Sequence, residues 1–255
     1  MSFFRQFLVL LALAGTLGAQ LVVNSAEPVT KSFLVQIVDT AADDGSAAAP
    51  LFGTSSQQAA IFSDVDQIWA QAGIKVNFEL FPGTWDNGFA LVGTTGENDP
   101  RPAGDLSTIV TAAQSALSLD AHANQLFVLQ IVPSFSQQGS GTAAAYSFTN
   151  FNGMTMWIGA DLPTTTDGQI LAASILAHEI GRNLGLTTDT ADNQDLMNSG
   201  GSGGELLTSS QVAAARESQY LASIPEPSTT GLLATVLVAL PGWGRLRYGN
   251  RKLSR

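Results

Sequence analysis

Two apolar runs, one near each end, limit how much of this chain is free to fold. Residues 7–14 (FLVLLALA) follow Arg5 and precede small residues, while residues 229–243 (TTGLLATVLVALPGW) precede the basic end GRLRYGNRKLSR. The first run is shorter than the ~20 apolar residues a membrane span needs. Residues 1–26 therefore read as a secretory signal peptide, cleaved after Ala19 or Ala26, in preference to a retained anchor. The second run would make a helix of about 22 Å against a hydrocarbon core of about 30 Å, a workable transmembrane segment if Arg245 and Arg247 snorkel. Its basic flank should stay cytoplasmic, which puts the middle of the chain outside the cytoplasm. About 195 residues are left, enough for one well-buried domain, with expected bounds 27–223 and a sorting segment over 224–255.

Pro225, Glu226 and Pro227 stand just before the second run. Motif, short apolar helix and arginine-rich tail together resemble the PEP-CTERM sorting signal of Gram-negative bacteria. The resemblance implies an exported protein of the cell envelope, cell surface or extracellular matrix. It also implies an exosortase-type processing enzyme as partner, and transient attachment to the membrane through the C-terminal helix. Exopolysaccharide or peptide are further partners in keeping with that location. An ordinary single-span anchor behind a rigid proline linker is the alternative. A lipid-anchor signal fits worse, because its hydrophobic tail normally ends the chain.

Composition excludes several classes. There is no cysteine, which removes disulfide scaffolds, thiolate zinc sites and cysteine nucleophiles. At 45% hydrophobic and 13% charged, the chain is not a disordered one. The net charge is −10. Between Glu27 and Ile224 only Lys31, Lys75, Arg101, Arg182 and Arg216 are basic, against all but one of the 21 acids. A domain this acidic is repelled by nucleic acid, so no nucleic-acid partner is expected.

The middle alternates between two periodicities. Residues 32–39 (SFLVQIVD) read as a strand and 43–50 as a loop. In 55–72, Ile61, Val65, Ile68, Trp69 and Ala72 recur at helical spacing behind a Ser55/Gln58 capping box. Residues 74–80 alternate as a half-buried strand, and 81–104 read as a surface excursion rich in Gly, Pro, Asn and Asp. A second helix is expected from near Asp105 to Leu119, and a central strand over 124–132. Asn152-Gly153 signals a two-residue hairpin within 146–158. Thr166/Gln169 and Thr208/Gln211 open two more helices, one running through Leu184 and one to about Ser218. This order predicts an α/β domain with a mixed sheet and long helices.

One segment carries recognisable chemistry: Ala177-His178-Glu179-Ile180-Gly181-Arg182-Asn183-Leu184-Gly185-Leu186-Thr187-Thr188-Asp189. Two histidines four apart on a helix face bind zinc when a glutamate beside the first polarises the bound water. A glycine seven positions on lets the chain turn toward a third ligand. His178, Glu179 and Gly185 keep this frame, and Asp195-Leu196-Met197-Asn198 follows it. The segment thus resembles the metzincin signature, in particular matrixin-like, M10-type metallopeptidases. That resemblance implies a zincin-like sheet, His178 as metal ligand, Glu179 as catalytic base if the site is active, and Met197 as the Met-turn methionine.

Two ligand positions depart from the pattern. Arg182 occupies the second, and a guanidinium has no lone pair to give a metal. Thr188 occupies the third, and its neutral hydroxyl is a poor substitute for imidazole. Asp189 and Asp192 are weak replacement ligands, since carboxylates do bind zinc. Arg182 is expected instead to replace the metal's charge, pairing with Glu179, Asp189, Asp192 or Asp195. His122, the other histidine, is expected to be structural or on the surface. No cofactor is expected. Zinc would enter only with an active atypical site, and the acidic clusters Asp43-Asp44 and Asp189/Asp192/Asp195 have the oxygen chemistry of calcium sites, though solvated loops are the default. The favoured reading is a degenerate, non-hydrolytic metzincin-like domain on an exported protein. An active zinc endopeptidase and a purely structural or adhesive exosortase client are the alternatives.

Overall fold

The computed structural model describes residues 23–41, 51–86, 103–130, 145–158, 164–187, 191–198 and 204–225. Residues 1–22, the apolar run 229–243, Glu226, Pro227, Thr188, Asp189, Asp43 and Asp44 lie outside the described residues. No helix among those described is long and apolar enough to cross a membrane.

A mixed sheet of six strands forms the centre, with four helices around it. β1 (Lys31–Ala41) lies between β2 (Ile74–Asp86) and β3 (Asn124–Gln130), parallel to both. β5 (Gly153–Ile158) runs parallel to β3, and the short β4 (Ala145–Ser147) pairs antiparallel to it at the edge. Alternation sorts the side chains between two faces. Phe33, Val35 and Ile37 of β1 join Leu126, Val128, Met154 and Met156 in the main core, while Val38 and Phe127 join a smaller cluster on the opposite face.

α1 (Ser55–Ala70) and α3 (Thr166–Asn183) pack together over the main core. α1 contributes Ile61, Val65, Ile68 and Trp69, the helical spacing read in the sequence. α2 (Ala103–Ala116) covers the other face with Ile109, Val110 and Ala113. α4 (Ser209–Arg216) closes the domain, opened by a Thr208–Gln211 capping box.

Several local expectations shift. The first capping box is Thr54–Gln57, one residue earlier than Ser55/Gln58: Thr54 takes the extended backbone angles a cap needs, and its side chain accepts from the Gln57 amide. Thr165, not Thr166, caps α3, its hydroxyl accepting from the Gly168 amide at 3.0 Å. β2 continues into the expected excursion as far as Asp86. Its register against β1 slips between Ile37 and Asp39, so that Ile37 faces Leu80 but Asp39 faces Thr84, with Gly83 at φ +104° in the irregular stretch. The β4–β5 hairpin exists, but Ser147 pairs with Met154, and the left-handed residue in its turn is Asn150 (φ +57°). Gly153 begins β5, where an added Cβ would lie 2.6 Å from Val110.

Both ends of the described domain meet at one edge. β6 (Ala222–Ser223) pairs antiparallel with Lys31–Ser32, and the Ile224 amide donates to the Thr30 carbonyl at 2.9 Å. Asn24 is already bound into the fold: its amide donates to Gln71 Oε1 at 3.2 Å and its side chain to the Leu207 carbonyl at 3.0 Å. Gln71, buried at the end of α1, also donates to the Ile68 and Glu205 carbonyls at 2.8 and 2.7 Å and accepts from the Leu207 amide at 3.1 Å. One side chain therefore holds α1, the N-terminal segment and the approach to α4. Gln71→Ala should cost about 3 kcal/mol, because buried partners lose their hydrogen bonds. Urea unfolding should show a lower midpoint at an unchanged slope.

Candidate functional site

The site is built on the last turns of α3. Ala173, Leu176, Ala177 and Ile180 bury one side of the helix in the main core, which sets its rotation and so fixes where His178, Glu179 and Arg182 stand. Asp167 in the first turn and Arg182 in the last suit the helix dipole. The helix ends in a Schellman motif: the Leu186 amide donates to the Gly181 carbonyl at 2.8 Å and the Gly185 amide to the Arg182 carbonyl at 2.9 Å. Gly185 adopts φ +102°, and a Cβ there would stand 2.7 Å from Asn150 Oδ1.

His178 is buried beside the loop that carries Met197. Its Nδ1 lies 2.7 Å from the Leu196 carbonyl oxygen. A carbonyl only accepts, so Nδ1 carries the proton, and Nε2 keeps the ring's lone pair. Burial pushes the imidazole below its usual range and Arg182 pushes the same way, while the Leu196 hydrogen bond and the Asp195 charge oppose.

Met197 is fully buried against α3 at Gly181, where an added Cβ would fall 2.7 Å from its sulfur. Asp195 shapes this turn by accepting from the Met197 amide at 2.7 Å, and it also accepts from Gln211 Nε2 at 2.9 and 3.2 Å. It makes no ion pair with Arg182. Asp192 is exposed, with Oδ1 accepting from the Gln194 amide at 2.9 Å. His122 is exposed in the turn before β3, its amide donating to Asp120 Oδ1 at 2.8 Å.

Glu179 is buried and takes a short hydrogen bond from the Ser147 hydroxyl of β4, which also lies 3.2 Å from the Glu179 carbonyl oxygen. Burial pushes the Glu179 carboxyl up to about 7; the Ser147 hydrogen bond and the Arg182 charge each pull it down, and burial outweighs both. A carboxyl in that range can hold or release a proton near neutral pH. The expected Arg182–Glu179 ion pair does not form: among the described residues the one ion pair is Lys75–Asp66. Arg182 acts on Glu179 and His178 through its field alone, and its Nε is buried with no hydrogen-bond acceptor.

Three groups that build the site leave no signal in the sequence pattern. Ser147 sits 32 positions from Glu179 in a three-residue strand. The Leu196 carbonyl is backbone and invisible to motif reading. Asn183 lies inside the recognised segment, and its role appears only in three dimensions. It donates to the Phe148 and Gly153 carbonyls at 3.0 and 3.1 Å and accepts from Asn124 at 2.8 Å.

Zinc does not fit the donors among the described residues. His178 Nε2 is the one imidazole lone pair on this helix face, and the residue four positions on is a cation that repels a metal. Among the described residues no three of His, Asp or Glu gather as a metal-binding set.

No protein-family model matches the chain, and no curated protein matches it. Among solved structures it is similar to archaemetzincin from Methanopyrus kandleri, at 14% identity and a TM-score of 0.40 over 73% of this chain and 87% of that one. It is also similar to catalytically inactive OgpA from Akkermansia muciniphila, solved with an O-glycopeptide substrate, at 14% identity and a TM-score of 0.39. That likeness spans 77% of this chain and 62% of that one.

The Glu179 carboxyl makes stability depend on pH. The folded state holds this proton more tightly than the unfolded chain. Its contribution is therefore complete below the ordinary range near 4.5 and is lost as pH rises toward about 7. Glu179→Gln removes the ionisation. Relative to the variant, the parent should lose about 3 kcal/mol across that window, read by denaturant unfolding at pH 4.5 and pH 8.

Proposed function

We propose that this chain is an exported, envelope- or matrix-associated protein whose folded part is a degenerate metzincin-like domain that binds a ligand and does not hydrolyse peptides. The observation that carries the reading is the helix face on which His178 is followed four positions later by Arg182. The frame around it supports the ancestry: His178 fixed by the Leu196 carbonyl, Met197 packed beneath Gly181, and the chain turning sharply at Gly185. Arg182 supports the loss of metal, because its permanent charge takes the space and sign of a cation. Glu179 retains the position of a general base, but its carboxyl faces Ser147.

Export rests on the signal-peptide pattern and on Pro225-Glu226-Pro227 before the apolar run and basic tail. An exosortase-type enzyme is the processing partner in this reading. The hydrogen bonds of Asn24 to Gln71 and Leu207 favour signal cleavage after Ala19 over Ala26, since the later cut would remove a residue the fold uses.

Three outcomes test the proposal. Native protein should begin at Gln20 and lack the basic tail when its termini are read by mass spectrometry; an intact N-terminus recovered from the cytoplasm would refute export. Purified protein should keep its melting temperature in chelator, bind no stoichiometric zinc and leave general peptide substrates uncut. Arg182→His with Thr188→His should raise zinc affinity at least tenfold, and no gain would show that these positions do not converge.

A further inference from the structure

Among the described residues Arg182 is a cation without a counterpart. The three acids of the motif among the described residues are otherwise engaged. Glu179 accepts from Ser147, Asp195 from Gln211 and the Met197 amide, and Asp192 stands exposed with the Gln194 amide. Arg182 is itself half-buried, and its Nε is shut off from solvent with no acceptor among the described residues. With Nε closed off, the two terminal nitrogens of the guanidinium are the pair that a carboxylate's two oxygens match.

The second observation lies one helical turn back. His178 must present Nε2 as an acceptor, because Nδ1 donates to the Leu196 carbonyl. Side chains four apart on a helix are neighbours, so a fixed cation that donates to an anion and an acceptor of a hydroxyl proton stand side by side. A simple carboxylate satisfies only the first. An acidic peptide side chain likewise brings no hydroxyl.

We infer that Arg182 and His178 together form a binding site for a hydroxycarboxylate, the carboxylate seated on the guanidinium and a neighbouring hydroxyl donating to His178 Nε2. This rests on the non-metal reading of the site and names its ligand class. Glu179 and Ser147 are bonded to each other and take no part in the contact.

The test uses the protein with D-glucuronate as probe, and propionate and D-glucose as controls that each lack one of the two groups. Glucuronate should shift the His178 ring signals by NMR and bind at least tenfold more tightly than either control. Arg182→Gln should lose at least tenfold in glucuronate affinity. His178→Phe should abolish the preference of glucuronate over propionate. Each variant is checked for an unchanged NMR fingerprint; if one misfolds, the ring shifts and control ligands of the parent decide alone. Propionate binding as well as glucuronate, a glutamate-rich peptide displacing glucuronate at equal concentration, or silence of the His178 ring would overturn the inference. Zinc titrated in a separate arm keeps the two readings apart. Stoichiometric zinc overturns the non-metal reading, whereas indifference to both zinc and glucuronate overturns only the hydroxycarboxylate site.

Discussion

Asn183 is the point on which the site depends. Fully buried at the end of α3, it reaches β3 through Asn124 and the β4–β5 hairpin through the carbonyls of Phe148 and Gly153. Buried amides are costly unless satisfied, so such a junction has one low-energy arrangement. It locks the helix end against the strand that carries Ser147 and the turn that carries Asn150. The Asn150 amide returns the contact by donating to the Arg182 carbonyl at 2.9 Å. The junction has a cost, because Asn124 Oδ1 is left buried without a partner.

Charge is arranged around that locked helix with little compensation. Four ionisable groups, His178, Glu179, Arg182 and Asp195, share the region, yet none forms an ion pair with another. Direct pairing of Glu179 and Arg182 would need the two side chains to meet in one place, and the Ser147 hydroxyl holds the carboxylate elsewhere. Burial then dominates: it favours the neutral forms of both His178 and Glu179 and leaves Arg182, which cannot give up its proton, as the remaining charge on this face of α3. A metal-binding helix has the opposite character, gathering lone pairs about a cation. Arg182 gives this helix face a fixed positive charge where a metal site would need a lone pair.

Much of the architecture was legible because it rests on periodicity. Ile61, Val65, Ile68 and Trp69 repeat with the helix, and Phe33, Val35 and Ile37 alternate with the strand, so burial followed the pattern. The structure departs from the pattern where neighbours in space decide. Thr54 and Ser55, or Thr165 and Thr166, are adjacent candidates of equal cap chemistry, and only the backbone angle selects between them. Asn152-Gly153 has the composition of a tight turn, but Gly153 is needed where β5 passes close to Val110. β2 outran its expected end because a bulge carries Trp85 into the second core cluster.

The sequence by itself determined that His178, Glu179 and Arg182 share one end of one helix and that Gly185 ends it. Helical spacing and backbone freedom are local properties, and a linear reading captures them. Tertiary structure alone decided what those side chains do. The His178 tautomer depends on a carbonyl 18 positions away, the Glu179 proton on burial and on a serine in another strand, and the isolation of Arg182 among the described residues on where Glu179, Asp192 and Asp195 found their partners. Those outcomes come from competition among groups distant in sequence for the same few hydrogen bonds in a water-poor space, and no local pattern records who wins.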